Sequence, residues 1–206
     1  MLFSEIFMLE EYFFESASRG PLIMDCGANI GLATLYFKWR YPEARVCAFE
    51  PNASVFELLA RNIAQNHLEN VELWNAALSG EGGEVLFYSD KPAGVTASLH
   101  PNSPGCDSTT VRALQLSPFI QSKEIDFVKM DIEGAEQEVI VEVSRSGALR
   151  NIKQLAIEYH HVLGEKCNMS YLLAELEGSG FNYQVRASLP SKCSASQDIM
   201  VYAGRL

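Results

Sequence analysis

An α/β fold built on a mostly parallel sheet is predicted by three observations. Short β-branched or apolar runs alternate along the chain with amphipathic stretches of helical period, the pattern of strands joined by crossover helices. The first such run leads straight into a glycine turn that opens a helix, Asp25-Cys26-Gly27-Ala28-Asn29-Ile30-Gly31. The last two runs, 181–187 and 197–203, are joined too closely for parallel pairing and predict a terminal antiparallel pair.

Taken in order, residues 4–17 place Ile6, Leu9, Tyr12 and Phe13 near one helical face before Ser18-Arg19-Gly20-Pro21 breaks the pattern. This predicts a helix within 1–20 that covers one side of the domain. A strand at 22–26, a helix at 30–40, a strand at 45–50, a helix from Ala53 to Gln65 and a strand at 71–77 then form a βαβαβ half. Residues 79–107 read as a loop-rich insertion, because Gly80, Gly82, Gly83, Pro92, Gly94, Pro101, Pro104 and Gly105 surround one possible strand at 84–89. Its part 91–107 is a candidate lid by composition. The second half has a strand at 125–131, a helix at 135–145, a strand at 153–159, a helix at 169–178 and the closing pair. Residues 1–206 thus form one domain.

The balance of 16 Lys and Arg against 26 Asp and Glu gives a net charge of −10. Nucleic-acid affinity rests on clustered cations, and none of these form a run, so nucleic acid is not an expected partner. Hydrophobic residues make up 48% of the chain, enough for a sizeable core. The five cysteines, Cys26, Cys47, Cys106, Cys167 and Cys193, are odd in number and never spaced C-x-x-C, which suggests a reduced, cytoplasmic protein. No basic leader and no apolar stretch of about 18 residues appears, so no membrane partner is expected.

The turn after the first strand reads D-x-G-x-N-x-G. A dinucleotide fingerprint beginning at Gly27 would meet Asn29 and Leu32 where it needs glycine, which disfavours NAD. Asp25 suits a cationic or amine-bearing ligand better than a pyrophosphate. Glu50 closes the second strand 19 residues after Gly31, where an acidic side chain accepts both hydroxyls of a ribose. Alone it leaves open a solvated strand-end carboxylate; with the turn it implies an adenosine-type ligand without phosphate. In Val128-Lys129-Met130-Asp131-Ile132-Glu133-Gly134-Ala135-Glu136, strand periodicity puts Lys129, Asp131 and Glu133 on one face of a strand that a buried sheet should keep apolar. Helix-dipole complementation accounts for Glu133 and Glu136, but not for Lys129 and Asp131. Glu158 and His160, two apart on the next strand, form a candidate general-base pair, although His160 reads equally as an exposed loop histidine. His67 and His100 lack such polar company. No metal site follows from spacing, since Asp131 and Glu133 have no neighbouring histidine or third carboxylate along the chain.

These motifs, with Phe49-Glu50-Pro51, Asn75-Ala76-Ala77-Leu78, Ala97-Ser98-Leu99 and Glu158-Tyr159-His160, resemble the FkbM-type S-adenosylmethionine-dependent methyltransferases from about Pro21 to the C-terminus. The K-x-D-x-E-G-x-E element discriminates, since D-x-G-x-x-x-G is shared by many methyltransferases. Where such proteins often carry an L-D pair before the fourth strand, this chain has Leu116-Ser117. The resemblance implies a Rossmann-like class I methyltransferase fold, a mostly parallel seven-stranded sheet with one antiparallel strand and helices on both faces. It implies S-adenosyl-L-methionine as cofactor, bound by Asp25, Gly27, Ala28, Asn29, Gly31, Glu50, Pro51, Asn75, Ala76 and Asp131. The expected reaction is O-methylation of a hydroxyl on a small molecule such as a sugar or natural product. His160 is then the base, Glu158 orients or charges it, and Asp131 assists positioning. N- or carboxyl-methylation, and a non-catalytic adenosyl-binding module of a larger assembly, stay open. So do the oligomeric state and a partner subunit or carrier protein that completes acceptor recognition.

Overall fold

The apolar runs become strands and the amphipathic stretches become helices in the computed structural model, which describes residues 2–89, 97–98, 107–162, 168–187 and 196–205. In chain order they are β1 (Leu22–Cys26), α1 (Leu32–Arg40), β2 (Arg45–Phe49), α2 (Ala53–Gln65), β3 (Val71–Trp74), β4 (Ala77–Leu78), β5 (Gly83–Ser89), β6 (Ala97–Ser98) and β7 (Asp107–Leu114). There follow α3 (Ser117–Ile120), β8 (Ile125–Met130), α4 (Glu136–Arg145), β9 (Ile152–Val162), α5 (Met169–Gly178), β10 (Asn182–Ala187) and β11 (Ser196–Gly204).

Seven strands form the main sheet in the order β10-β11-β9-β8-β1-β2-β3. All pairings are parallel except those of β11, which runs antiparallel to both β9 and β10. The predicted fold and its single reversed strand are therefore present. β1 and β8 are buried along their whole length, as strands covered on both faces should be. On one face Met24, Cys26, Val128 and Met130 pack with Val139, Ile140 and Val143 of α4 and Leu172 and Leu176 of α5. On the other, Ile23 and Phe127 pack with Tyr36 and Phe37 of α1 and Leu59 and Ile63 of α2. Asn52 starts α2, its side-chain oxygen accepting from the N–H groups of Ser54 and Val55. The chain leaves β1 for β2 on one side and reaches β8 on the other, so the strand order reverses at β1 and β8. That switch point is where open α/β sheets hold ligands.

The N-terminal expectation holds only for its first turns. Residues 2–3 are α-helical and Ser4–Met8 continue as a π-helical turn, but the helix goes no further, and Leu9 and Phe13 are exposed. Tyr12 and Phe14 are buried instead, a spacing of two that belongs to extended chain. Phe14 stacks on Phe127 with centroids 4.4 Å apart and planes 5° apart, while Asp126 accepts from the Ser16 hydroxyl and the Leu22 N–H. These long-range contacts override the local helical period. The strand expected at 71–77 is also divided. β3 ends at Trp74, Ala76 N–H turns back to the Trp74 carbonyl, and Ala77–Leu78 joins a second sheet of order β4-β7-β5-β6. The expected strand at 84–89 is β5, and the described part of the insertion belongs to this sheet. Its strand β7 was not anticipated, although Thr109-Thr110-Val111 is a β-branched signal.

Cys26 and Cys47 are buried free thiols. His100, Cys106, Cys167, Cys193 and nearly all of the candidate lid lie outside the described residues. Among the described residues no helix is long and apolar enough to cross a membrane.

Candidate functional site: a cleft at the strand switch point

The turn after β1 is shaped by backbone crowding. Gly27 has φ of +81°, and a Cβ on it would lie 1.7 Å from the Asp131 carbonyl oxygen. Gly31 has φ of +91° and faces Leu59 at 2.7 Å in the same sense. Asn29, at φ of +50°, is a residue type that tolerates the left-handed region, and its side-chain oxygen accepts from the Ile30 N–H at 2.7 Å. The turn thus carries the chain across the end of β8 and along the edge facing β2, where the N–H groups of Gly27 and Ala28 both donate to the Phe49 carbonyl.

Glu50 stands at that edge, 7% exposed. One carboxylate oxygen accepts from Asn29 N–H at 3.0 Å and the other from Asn52 N–H at 2.8 Å. Each oxygen keeps a further lone pair. Burial pushes the carboxyl up to about 7, against the pull of both N–H donors. Around it, Gly27, Asn29, Pro51, Ala76 and Asp131 line a cleft with Phe49, Val55, Leu78 and Phe87 as apolar walls. Asp25, Ala28 and Gly31 do not line it; they lie buried behind the turn. Asn75 holds the end of β2 by donating to the carbonyls of Glu50 and Pro51.

Lys129, which helix-dipole arguments leave unexplained, is a staple. It is 3% exposed and stands 3.6 Å from Asp25 and 3.4 Å from Asp131. Its ammonium also donates to the carbonyls of Gly27 and Cys26. Burial opposes its charge, but Asp131 and Asp25 outweigh that and hold it above the ordinary lysine range. Asp25 is fully buried, and its second oxygen accepts from the Thr34 hydroxyl at 2.6 Å. The motif therefore neutralises the underside of the glycine turn and fixes its carbonyls.

Past Asp131 the chain turns through Glu133 (φ +56°) and Gly134 (φ +109°) into α4. Glu136, 1% exposed, accepts from the N–H groups of Ile132 and Gly134 and lies 2.9 Å from His160 Nδ1. His160 Nε2 faces Asp131 at 3.7 Å and Glu133 at 3.6 Å. Burial disfavours a charge on the ring, yet the Glu136 hydrogen bond and the surrounding carboxylates prevail and raise its pKa to about 10. His160 is an imidazolium at neutral pH. The group that orients it is Glu136, not Glu158. Glu158 instead accepts from the Tyr12 hydroxyl at 3.3 Å, and burial together with the Asp131 charge pushes its carboxyl up to about 7.

Two residues of this site were missed from sequence. Glu136 was visible in the motif, but its histidine arrives from a neighbouring strand; Tyr12 comes from the segment that packs as extended chain and carries no signal of its own.

The Methyltransferase FkbM domain model matches residues 25–184. The chain belongs to the FkbM methyltransferase family. Methyltransferase sdnD of Sordaria araneosa is 28% identical over 172 residues, 68% of this chain and 66% of that protein. The 31-O-demethyl-FK506 methyltransferase FkbM of Streptomyces tacrolimicus is 25% identical over 197 residues, 79% of this chain and 73% of that one. The crystal structure of an FkbM methyltransferase from Methylobacillus flagellatus shares the fold, with a TM-score of 0.62 at 16% identity, over 97% of this chain and 47% of that one. The chain thus spans about two thirds of the sdnD length. S-adenosylmethionine is the cofactor of such a domain, and the cleft fits it: Glu50 keeps lone pairs for two hydroxyls, and apolar walls suit a purine.

Proposed function

We propose that this FkbM-family domain methylates a hydroxyl of a small, cytoplasmic acceptor. Asp131 carries the reading, because it lines the cofactor cleft and also faces His160, joining the two halves of the site. When bound, S-adenosylmethionine supplies an already activated methyl group on a sulfonium. The chain's own residues then align an oxygen nucleophile, exclude water and take its proton.

The geometry favours a division of labour other than the one read from sequence. His160 is committed to Glu136 at Nδ1 and carries its proton, so it supports negative charge developing on the acceptor oxygen. Glu158, on the same strand face and acceptor-only when ionised, takes the proton, with Tyr12 holding its carboxylate. The relative named for a 31-O-demethyl substrate supports oxygen as the methylated atom, and the net charge of −10 supports a small acceptor over nucleic acid.

Glu158→Gln should lower turnover by about 10²–10⁴-fold while S-adenosylhomocysteine binds as before. The readout is methyl transfer in a screen of sugar and polyol acceptors, followed by calorimetry on the variant. Unchanged turnover removes Glu158 from the mechanism. Transfer to amines alone removes the hydroxyl reading.

A further inference from the structure

Asp131, Glu133 and His160 each offer one ligand atom, and the three atoms lie within 4.8 Å of one another, with Asp131 and Glu133 lining the cleft. His160 Nε2 stands 3.6 Å and 3.7 Å from the two carboxylates, too long for a hydrogen bond. That separation is close to the edge of a tetrahedron with metal–ligand bonds of about 2.1 Å, which is about 3.4 Å. The ring is held as metal-bound histidines are held, its far nitrogen engaged by a buried carboxylate. That carboxylate supplies an independent observation: one oxygen of Glu136 is taken up by His160 and two backbone N–H groups. The other, a carboxylate's width away, is buried with no hydrogen-bond partner. Positive charge on His160, from a proton or from a cation bound at Nε2, offsets the cost of that buried oxygen.

We propose that Asp131, Glu133 and His160 bind a divalent cation, which holds the acceptor oxygen at the cleft. One imidazole with two carboxylates suits Mn²⁺ or Zn²⁺ over Ca²⁺, whose sites are built of oxygen. Three protein ligands leave positions open for the acceptor, whose hydroxyl is acidified on binding. In the loaded chain the cation replaces the Nε2 proton, so positive charge at this point is kept. The metal site stands on its own geometry; its role in catalysis rests on the hydroxyl-methylation reading.

The test is titration of the EDTA-stripped full chain with Mn²⁺, following free Mn²⁺ by electron paramagnetic resonance, with cooperative thermal unfolding as the check that each sample is folded. One Mn²⁺ per chain is expected. Glu133→Gln and His160→Ala should each weaken it at least tenfold, and Glu136→Gln by about 10–100-fold. A folded wild type that takes up neither Mn²⁺ nor Zn²⁺, or variants that bind like wild type, overturns the site. Methyl transfer to a hydroxyl that is undiminished in EDTA overturns the cation's role and leaves the proposed reaction standing. Stoichiometric Mn²⁺ binding without transfer to any hydroxyl leaves the metal site standing and overturns the proposed reaction, and with it the cation's role in it.

Discussion

Gly27→Ala is expected to destabilise the domain by more than about 3 kcal/mol and to abolish cofactor binding. Its Cβ would lie 1.7 Å from the Asp131 carbonyl oxygen and 2.9 Å from the Asp131 carbonyl carbon. Both are backbone atoms at the end of a strand whose next N–H, that of Asp131, is tied to the Cys26 carbonyl, so neither yields by a rotamer change. The strain of φ +81° adds to this. Gly31→Ala is the control. Its Cβ meets only the tip of Leu59, a flexible side chain, so the cost should fall to about 1–2 kcal/mol, chiefly from backbone strain. Chemical denaturation of both variants checks the ordering; equal losses would mean that the close approach of turn and β8 is not what requires glycine at 27.

Lys129→Met should cost about 3–5 kcal/mol, the usual penalty for removing one partner of a buried ion pair. The substitution keeps the stem's bulk but leaves Asp25 without a cation, and withdraws the donor that fixes the carbonyls of Gly27 and Cys26. Asp25 already has a raised pKa through burial, with Lys129 pulling it down. Without the lysine it rises further, so the native state binds a proton that the unfolded chain releases. Stability of the variant therefore falls as pH rises above the ordinary carboxylate range, and the deficit narrows in acid. Asp25→Asn combined with Lys129→Met should recover part of the loss, because no uncompensated carboxylate is left at 25. Additive losses in the double variant would contradict the assignment of Lys129 as the counter-ion of Asp25.

What the sequence discloses and what it hides divide by distance along the chain. The βαβ half from Leu22 to Phe49, with Glu50 next after it, was legible because its signals are local: an apolar run, a turn that needs glycine, and an acidic residue at the following strand's end. The K-x-D-x-E-G-x-E element was recognisable as polar where a strand should be apolar, but its purpose was not. Lys129 acts on Asp25, and Glu136 on His160, through strand pairing that no local pattern encodes. The same holds for the cluster of Asp131, Glu133 and His160, which spacing along the chain gave no reason to group. Residues 9–17 mislead for a related reason. Their apolar positions satisfy a helical period, yet Tyr12 is fixed by Glu158 across 146 residues and Ser16 by Asp126 across 110.

The central claim is that the cleft between the glycine turn and Glu50 holds S-adenosylmethionine, and calorimetric titration of the full chain and a Glu50→Ala variant with S-adenosylhomocysteine tests it most directly. Two charge-assisted hydrogen bonds of about 1.5–3 kcal/mol each predict at least a hundredfold weaker binding in the variant. Since the carboxylate is the accepting form and Glu50 titrates near 7, wild-type affinity should also fall below that pH, and the variant should lose this dependence. Binding by the wild type that Glu50→Ala leaves unchanged would place the ligand elsewhere and contradict the account.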